Sequence, residues 1–176
     1  GQLECAWCPV GWTTEGRKGA STCQTCSAGK HGSTKASTSN EAEQRCIECT
    51  PGTYREAGDE ANVEQCLECG IGKFMTESGS AFCNDCFPGQ VQHRRGQKNC
   101  VDCETELYMS EKGSAKPECN KCQIGKTTHN KGSSFCINCP AGFAGNDCKA
   151  CQAGQYRSNK EMDATQCVNC AAGYYT

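Results

Sequence analysis

Cys46-Ile47-Glu48-Cys49-Thr50-Pro51-Gly52-Thr53-Tyr54 is one copy of a skeleton, C-x-x-C-x-x-G-x-aromatic, that recurs from one end of the chain to the other. All twenty cysteines fall in C-x-x-C pairs, which begin at Cys5, Cys23, Cys46, Cys66, Cys83, Cys100, Cys119, Cys136, Cys148 and Cys167. A glycine stands three residues after the second cysteine in nine of the ten copies; the tenth has Glu106 there. Two residues further on come Tyr54, Phe74, Tyr108, Tyr156 and Tyr175, with His31, Val91 and Thr127 as weaker occupants. Trp12 and Phe143 stand one residue earlier in their copies. Self-similarity at so short a period predicts an array of small stacked units.

Composition says what must hold such an array together. Leu, Ile, Val and Phe number 17 in 176 residues, below the roughly 20% under which chains tend not to build a core. Cysteine, at 20 of 176, exceeds the ~8–10% that marks a disulfide scaffold. Closing a loop of about 15 residues removes roughly 3 kcal/mol of unfolded-state entropy, so several loops can replace a core. Thiols at this density stay oxidised only outside the cytosol, and the chain is expected to be secreted or at a cell surface. The formal charge of -2 gives no general pull toward nucleic acid or an anionic membrane. No leader pattern is read at Gly1, and no apolar run reaches the ~18 residues of a membrane span.

A second glycine stands four residues before several of the pairs, at Gly19, Gly79, Gly96 and Gly132, so each unit has a turn near both ends. Between the turns, stretches such as Thr53-Tyr54-Arg55 and Lys73-Phe74-Met75-Thr76 alternate enough for short strand pieces. The fold class expected is therefore a set of small disulfide-rich repeats in an elongated tandem array, with short β-hairpin-like loops, little helix and no central hydrophobic core. Glycine after the bridge is explained by a positive φ there, where a side chain clashes. The aromatic that follows can lie over the sulfur atoms. Each unit is expected to contact only its neighbours, as in other one-dimensional arrays.

The repeats are bounded at 1–22, 23–45, 46–65, 66–82, 83–99, 100–118, 119–135, 136–147, 148–166 and 167–176, the eighth being short and the tenth only begun. In the first, Trp7 and Trp12 are candidate contact residues, although Trp7 inside a C-x-x-C reads first as packing on the adjacent disulfide. In the second, Ser33, Thr34, Ser37, Thr38 and Ser39 form a hydroxyl-rich loop and are candidate O-glycosylation sites.

The string Cys139-Pro140-Ala141-Gly142-Phe143-Ala144-Gly145-Asn146-Asp147-Cys148 resembles the closing loop of epidermal-growth-factor-like and laminin-type modules, C-x-x-G-F-x-G-x-x-C, whose end cysteines are bonded to each other. The resemblance implies a rule for the whole array, in which the second cysteine of one pair bonds the first of the next. The rule gives Cys8 with Cys23, Cys26 with Cys46, Cys49 with Cys66, Cys69 with Cys83 and Cys86 with Cys100. It continues with Cys103 to Cys119, Cys122 to Cys136, Cys139 to Cys148 and Cys151 to Cys167. Cys5 and Cys170 remain as open ends, to be unpaired or joined to another chain, and the 176 residues read as a window on a longer repeating sequence. Sequence by itself does not fix connectivity. Across its length the pattern also looks like the ephrin-receptor-like cysteine-rich repeat and is similar to the first half of tumour-necrosis-factor-receptor modules. Such repeats occur in receptor ectodomains and, in long arrays, in large secreted or surface proteins of algae and protists. The resemblance implies location and shape, not one activity.

Other chemistries read less well. Ten C-x-x-C pairs can be taken as five four-cysteine zinc sites, yet no histidine replaces a cysteine and every copy is alike. A redox C-x-x-C needs a helix start that these loops do not offer. His31, His93 and His129 sit in different loops without recurrent acid or nucleophile partners. His93-Arg94-Arg95 with Lys98 reads as a solvated loop tip, with a sulfated glycan as the alternative. The N-x-C sequences at Asn84, Asn120 and Asn146 lie beside cysteines of the array, and calcium-loop spacing is absent. No catalytic, metal or cofactor residue is assigned. The expected protein is a non-enzymatic extracellular rod, a spacer or a strand of a fibre, coat or appendage. Its expected partners are further copies or repeats of itself, with another extracellular protein or a glycan as further candidates, and with no nucleic acid and no membrane insertion. The alternative is a receptor or adhesion ectodomain that binds a protein along its side.

Overall fold

In a computed structural model the described residues are 8–14, 17–33, 45–60, 64–159 and 164–175. They form nine two-stranded antiparallel sheets and one short 3-10 turn at Asn146–Cys148. Among the described residues no helix is long and apolar enough to cross a membrane. Every hairpin is built the same way. The strand after the glycine of one repeat pairs with the strand inside the next C-x-x-C: Thr53–Tyr54 with Leu67–Glu68, Leu107–Tyr108 with Asn120–Lys121, Gln155–Tyr156 with Val168–Asn169. Most are two residues long, too short to persist alone.

Each hairpin is instead closed by one disulfide. Nine bridges link Cys8–Cys23, Cys26–Cys46, Cys49–Cys66, Cys69–Cys83, Cys86–Cys100, Cys103–Cys119, Cys122–Cys136, Cys139–Cys148 and Cys151–Cys167. Cys170 is a free thiol, and Cys5 lies outside the described residues.

The entry turn of the hairpin explains the glycine of the motif and the Pro-Gly of two copies. Thr53 donates its backbone N–H to the Thr50 carbonyl at 3.0 Å, with Pro51 and Gly52 as the central residues. Gly52 has φ 86°. Proline at the first central position and a positive φ at the second are the requirements of a type II turn. Phe87-Pro88-Gly89-Gln90 repeats it, with a 3.0 Å bond and φ 88° at Gly89. Glu106 occupies the same place with φ 67°, a left-handed conformation that glycine adopts freely and other residues at a cost.

Among the described residues there is no central core. What is buried is a series of small clusters around the second cysteine of six pairs: Cys26, Cys49, Cys69, Cys86, Cys103 and Cys139 are all 2% exposed or less, whereas Cys8, Cys122, Cys151 and Cys170 are half-buried. One such cluster comprises Val91, Cys103 and Met109, flanked by Leu107 and Cys119. The chain divides into two compact units, residues 1–84 with 94–99 and residues 85–93 with 100–176.

Candidate functional site: the ladder between repeats

Besides the cysteines, a recurrent set of buried side chains stands one residue beyond the aromatic place of the motif. Arg55, Met75, Gln92, Met109, Thr128 and Arg157 occupy this place, and all are buried. The aromatic itself is half-buried at Tyr54, Phe74 and Tyr108 and exposed at Tyr156.

Backbone bonds explain why this place is inside, because its peptide groups join one repeat to the next. In the first unit the N–H of Gly29 donates to the Arg55 carbonyl at 2.8 Å, and Arg55 N–H donates to the Ser80 carbonyl at 3.2 Å. Gly52 bonds Met75 at 2.8 Å, and Met75 bonds Gln97 at 3.3 Å in the same sense. The second unit repeats the scheme, from Gly89 to Met109 at 2.7 Å and from Met109 to Ser133 at 3.2 Å. Arg55, Met75 and Met109 are thus held at both peptide groups between adjacent repeats, and all three side chains are buried although they differ in type.

A third rung caps the buried second cysteine. Gly79 N–H donates to the Cys49 carbonyl at 2.8 Å, and Gly96 to Cys69 at 2.9 Å, in the first unit. In the second, Gly113 donates to Cys86 at 2.9 Å and Gly132 to Cys103 at 2.8 Å. The repeat at Cys49–Cys66 has Asp59, not glycine, four residues after the buried place. There Arg55 supplies the donor instead: Nη1 reaches the carbonyls of Cys26 and Lys30, both at 2.8 Å, and Nη2 reaches that of Asp59 at 2.9 Å. Arg157 caps the Cys139 carbonyl in the same manner. Its Nε is buried without a hydrogen-bond partner.

The ladder also reaches the second neighbour. A Cβ built on Gly29 would collide with the carbonyl of Gly79, one on Gly52 with that of Gly96, and one on Gly89 with that of Gly132. The expectation that units touch only their immediate neighbours is therefore corrected: the first glycine of a repeat lies under the second-glycine turn two repeats on. The acidic third residue of the intervening pairs packs on these turns, with the carboxyl carbons of Glu48 and Glu68 each 3.3 Å from where a Cβ on Gly79 and Gly96 would lie. Asp102 stands in the same relation to Gly132, also at 3.3 Å.

Other residues singled out by sequence are not gathered into a centre. Trp12 is half-buried in the strand Trp12–Thr13, paired with Thr25. Trp7, Thr34, Ser37, Thr38 and Ser39 lie outside the described residues, and Ser33 is described only as backbone of the strand Lys30–Ser33. The Nδ1 of His31 lies 3.1 Å from the Glu64 carbonyl, while His93 and His129 are exposed. Arg94, Arg95 and Lys98 are exposed as well. Eighteen thiols are consumed in the nine bridges, and no group of three metal-binding side chains occurs among the described residues. Sequence reasoning missed Arg55 and Arg157. Their signal was the coincidence of an arginine at the buried place with the loss of glycine four residues later.

These features define a tandem array of disulfide-bonded, cysteine-rich repeats. No known protein family's sequence profile matches the chain. A curated human protein, "Signal peptide, CUB and EGF-like domain-containing protein 2", is 30% identical over 107 residues, which is 60% of this chain. The chain spans about a tenth of that protein's length. The density of bridges and this similarity to an EGF-like protein together point to an oxidising, extracellular setting.

Proposed function

We propose that the chain is a non-enzymatic structural segment of an extracellular protein, a disulfide-laddered rod that serves as spacer or as a strand of a fibre, coat or appendage. The observation that carries this reading is where the hydrogen-bonding groups go. Buried donors and acceptors such as those of Arg55, Gly52 and Met75 are spent on adjacent repeats, the economy of an array whose purpose is to be continued. Repeats of the ephrin-receptor-like or tumour-necrosis-factor-receptor-like kind would serve this way, and further repeats or copies of the chain are its proposed partners. Small-angle scattering tests the shape: at ~3.3–3.6 Å per residue ten units advancing by one C-x-x-C each reach on the order of 100 Å, whereas a compact globule would show a radius of gyration near 16 Å, roughly 2.2·N^0.38. The compact value would remove the rod.

A second reading, an ectodomain that binds a protein along its side, is favoured by exposed aromatics. Phe82, Phe87 and Phe135 are 61–66% exposed, and large aromatics anchor protein interfaces. Loss of a captured partner on Phe82→Ser or Phe135→Ser, with the bridges intact, would favour this reading over the spacer.

A further inference from the structure

The single exception to the glycine rule and the single short loop of the array lie two repeats apart. The bridge Cys139–Cys148 encloses a separation of nine residues, against fourteen for Cys122–Cys136 and Cys86–Cys100. In the repeats of Met75, Gln92, Met109 and Thr128 a second glycine stands four residues after the buried place, at Gly79, Gly96, Gly113 and Gly132. Four residues after Gly145, the corresponding place here, is Lys149, already past the closing Cys148. The short repeat therefore has no second-glycine turn. That turn is the group with which a Cβ on Gly89 collides when its repeat is of ordinary length.

We infer that Glu106 and the short loop Cys139–Cys148 are a matched pair that fixes the order of repeats. A side chain is admitted at the first-glycine place only where the repeat two positions later is short, and an ordinary loop placed there would be rejected by the Glu106 side chain. Two further contacts in the same unit fit the match. Glu106 N–H donates to Thr128 Oγ1 at 2.7 Å, whereas Gly52 and Gly89 each donate to a backbone carbonyl at this rung. The third residue of the intervening C-x-x-C, acidic at Glu48, Glu68 and Asp102 where it packs on a glycine turn, is here Lys121, and its Nζ lies 3.6 Å from Asp147 of the short loop. Backbone amides at a turn favour a carboxylate, while a loop that presents an aspartate favours an ammonium. Repeats 100–118, 119–135 and 136–147 are thus not interchangeable, and the array has one addressed position in an otherwise uniform series.

The test is a two-by-two exchange in the full chain, secreted under oxidising conditions. Residues 140–147 are replaced by a copy of residues 123–135, which restores an ordinary loop, with and without Glu106→Gly. The readouts are peptide-mapped disulfide connectivity and the midpoint of unfolding by reductant. With Glu106 present, the long loop should scatter the bridges among several isomers; with Glu106→Gly the single sequential set should return. Equal connectivity and equal midpoints in both backgrounds would overturn the inference. Point variants decide the matter if neither exchange folds. Gly154 has φ 80° and nothing within 4 Å of a built Cβ, whereas Gly89 has φ 88° and the Gly132 turn above it. Gly154→Ala bears only the backbone strain, so Gly89→Ala should lose the sequential isomer at a several-fold lower reductant concentration. If the two variants behave alike, the turn above Gly89 excludes nothing and the matched pair falls.

Discussion

The carbonyl of Cys26 and the carbonyl of Cys49 occupy equivalent places in successive repeats, yet they are satisfied by different chemistry. Cys49 accepts from the backbone N–H of Gly79 at 2.8 Å, and Cys26 accepts from the guanidinium of Arg55 at 2.8 Å. A buried carbonyl must be paired, and what the array conserves is therefore a donor at a point in space, not a residue type at a point in the sequence. The glycine solution needs a second turn; the arginine solution reaches across from the buried place and leaves the loop free to vary.

Neither way of capping would matter if the hydrogen-bonded ladder could stand without its crosslinks. It should not, because the closed loops, eight of them with separations of 14 to 20 residues and one of 9, are each worth roughly 3 kcal/mol on the chain-entropy account, the short one somewhat less, and the buried apolar clusters are small. Reduction should abolish dispersed amide resonances throughout the chain, and chelators should leave them unchanged. Retention of the fold after complete reduction, verified by thiol titration, would be fatal to the disulfide account.

Removal of the arginine should have a smaller effect. Arg55→Met places in the repeat the residue that Met75 and Met109 carry, but removes the donor from the Cys26, Lys30 and Asp59 carbonyls. An unpaired buried acceptor costs about 1–3 kcal/mol, and relief of guanidinium desolvation returns part of the total, so a net loss of roughly 2–3 kcal/mol is expected by denaturant titration. Arg157→Met should cost less, because Arg157 already buries an unpartnered Nε. Equal losses at the two positions would show that packing of the long stem, not the capped carbonyl, matters there.

Much of this architecture could be read from spacing. The C-x-x-C period implies an array, and Pro51-Gly52 and Pro88-Gly89 specify a type II turn because each residue type is demanded by one dihedral angle. The buried place was not legible, because Arg, Met, Gln and Thr share no property that a pattern search could find. At Arg55, Met75 and Met109 the peptide groups are held on both sides by adjacent repeats, a constraint of which hydropathy carries no trace. The contact between second neighbours was hidden for a related reason: glycine at Gly29, Gly52 and Gly89 serves a turn and a close approach at once, and the turn alone suffices to explain it. Glu106 separates the two requirements, because there the turn persists with a side chain in place of hydrogen.

The last and smallest effect lies at that residue. Glu106 holds φ 67°, which costs a non-glycine residue about 1–2 kcal/mol, while a glycine there would lose more freedom on folding, worth roughly 0.5–1 kcal/mol. If backbone strain is the whole account, Glu106→Gly leaves the 2.7 Å bond from this N–H to Thr128 Oγ1 in place and stabilises the chain by about 0–1.5 kcal/mol, the difference between those two terms. Thr128→Val in the same background then removes the acceptor from a half-buried donor, and about 1 kcal/mol should be lost. A fall in stability on Glu106→Gly alone would carry a different meaning, since neither the turn nor its hydrogen bond needs the carboxylate. The side chain would then be contributing a contact of its own in the space that the short loop leaves open, and the match between Glu106 and Cys139–Cys148 would be one of attraction as well as of fit.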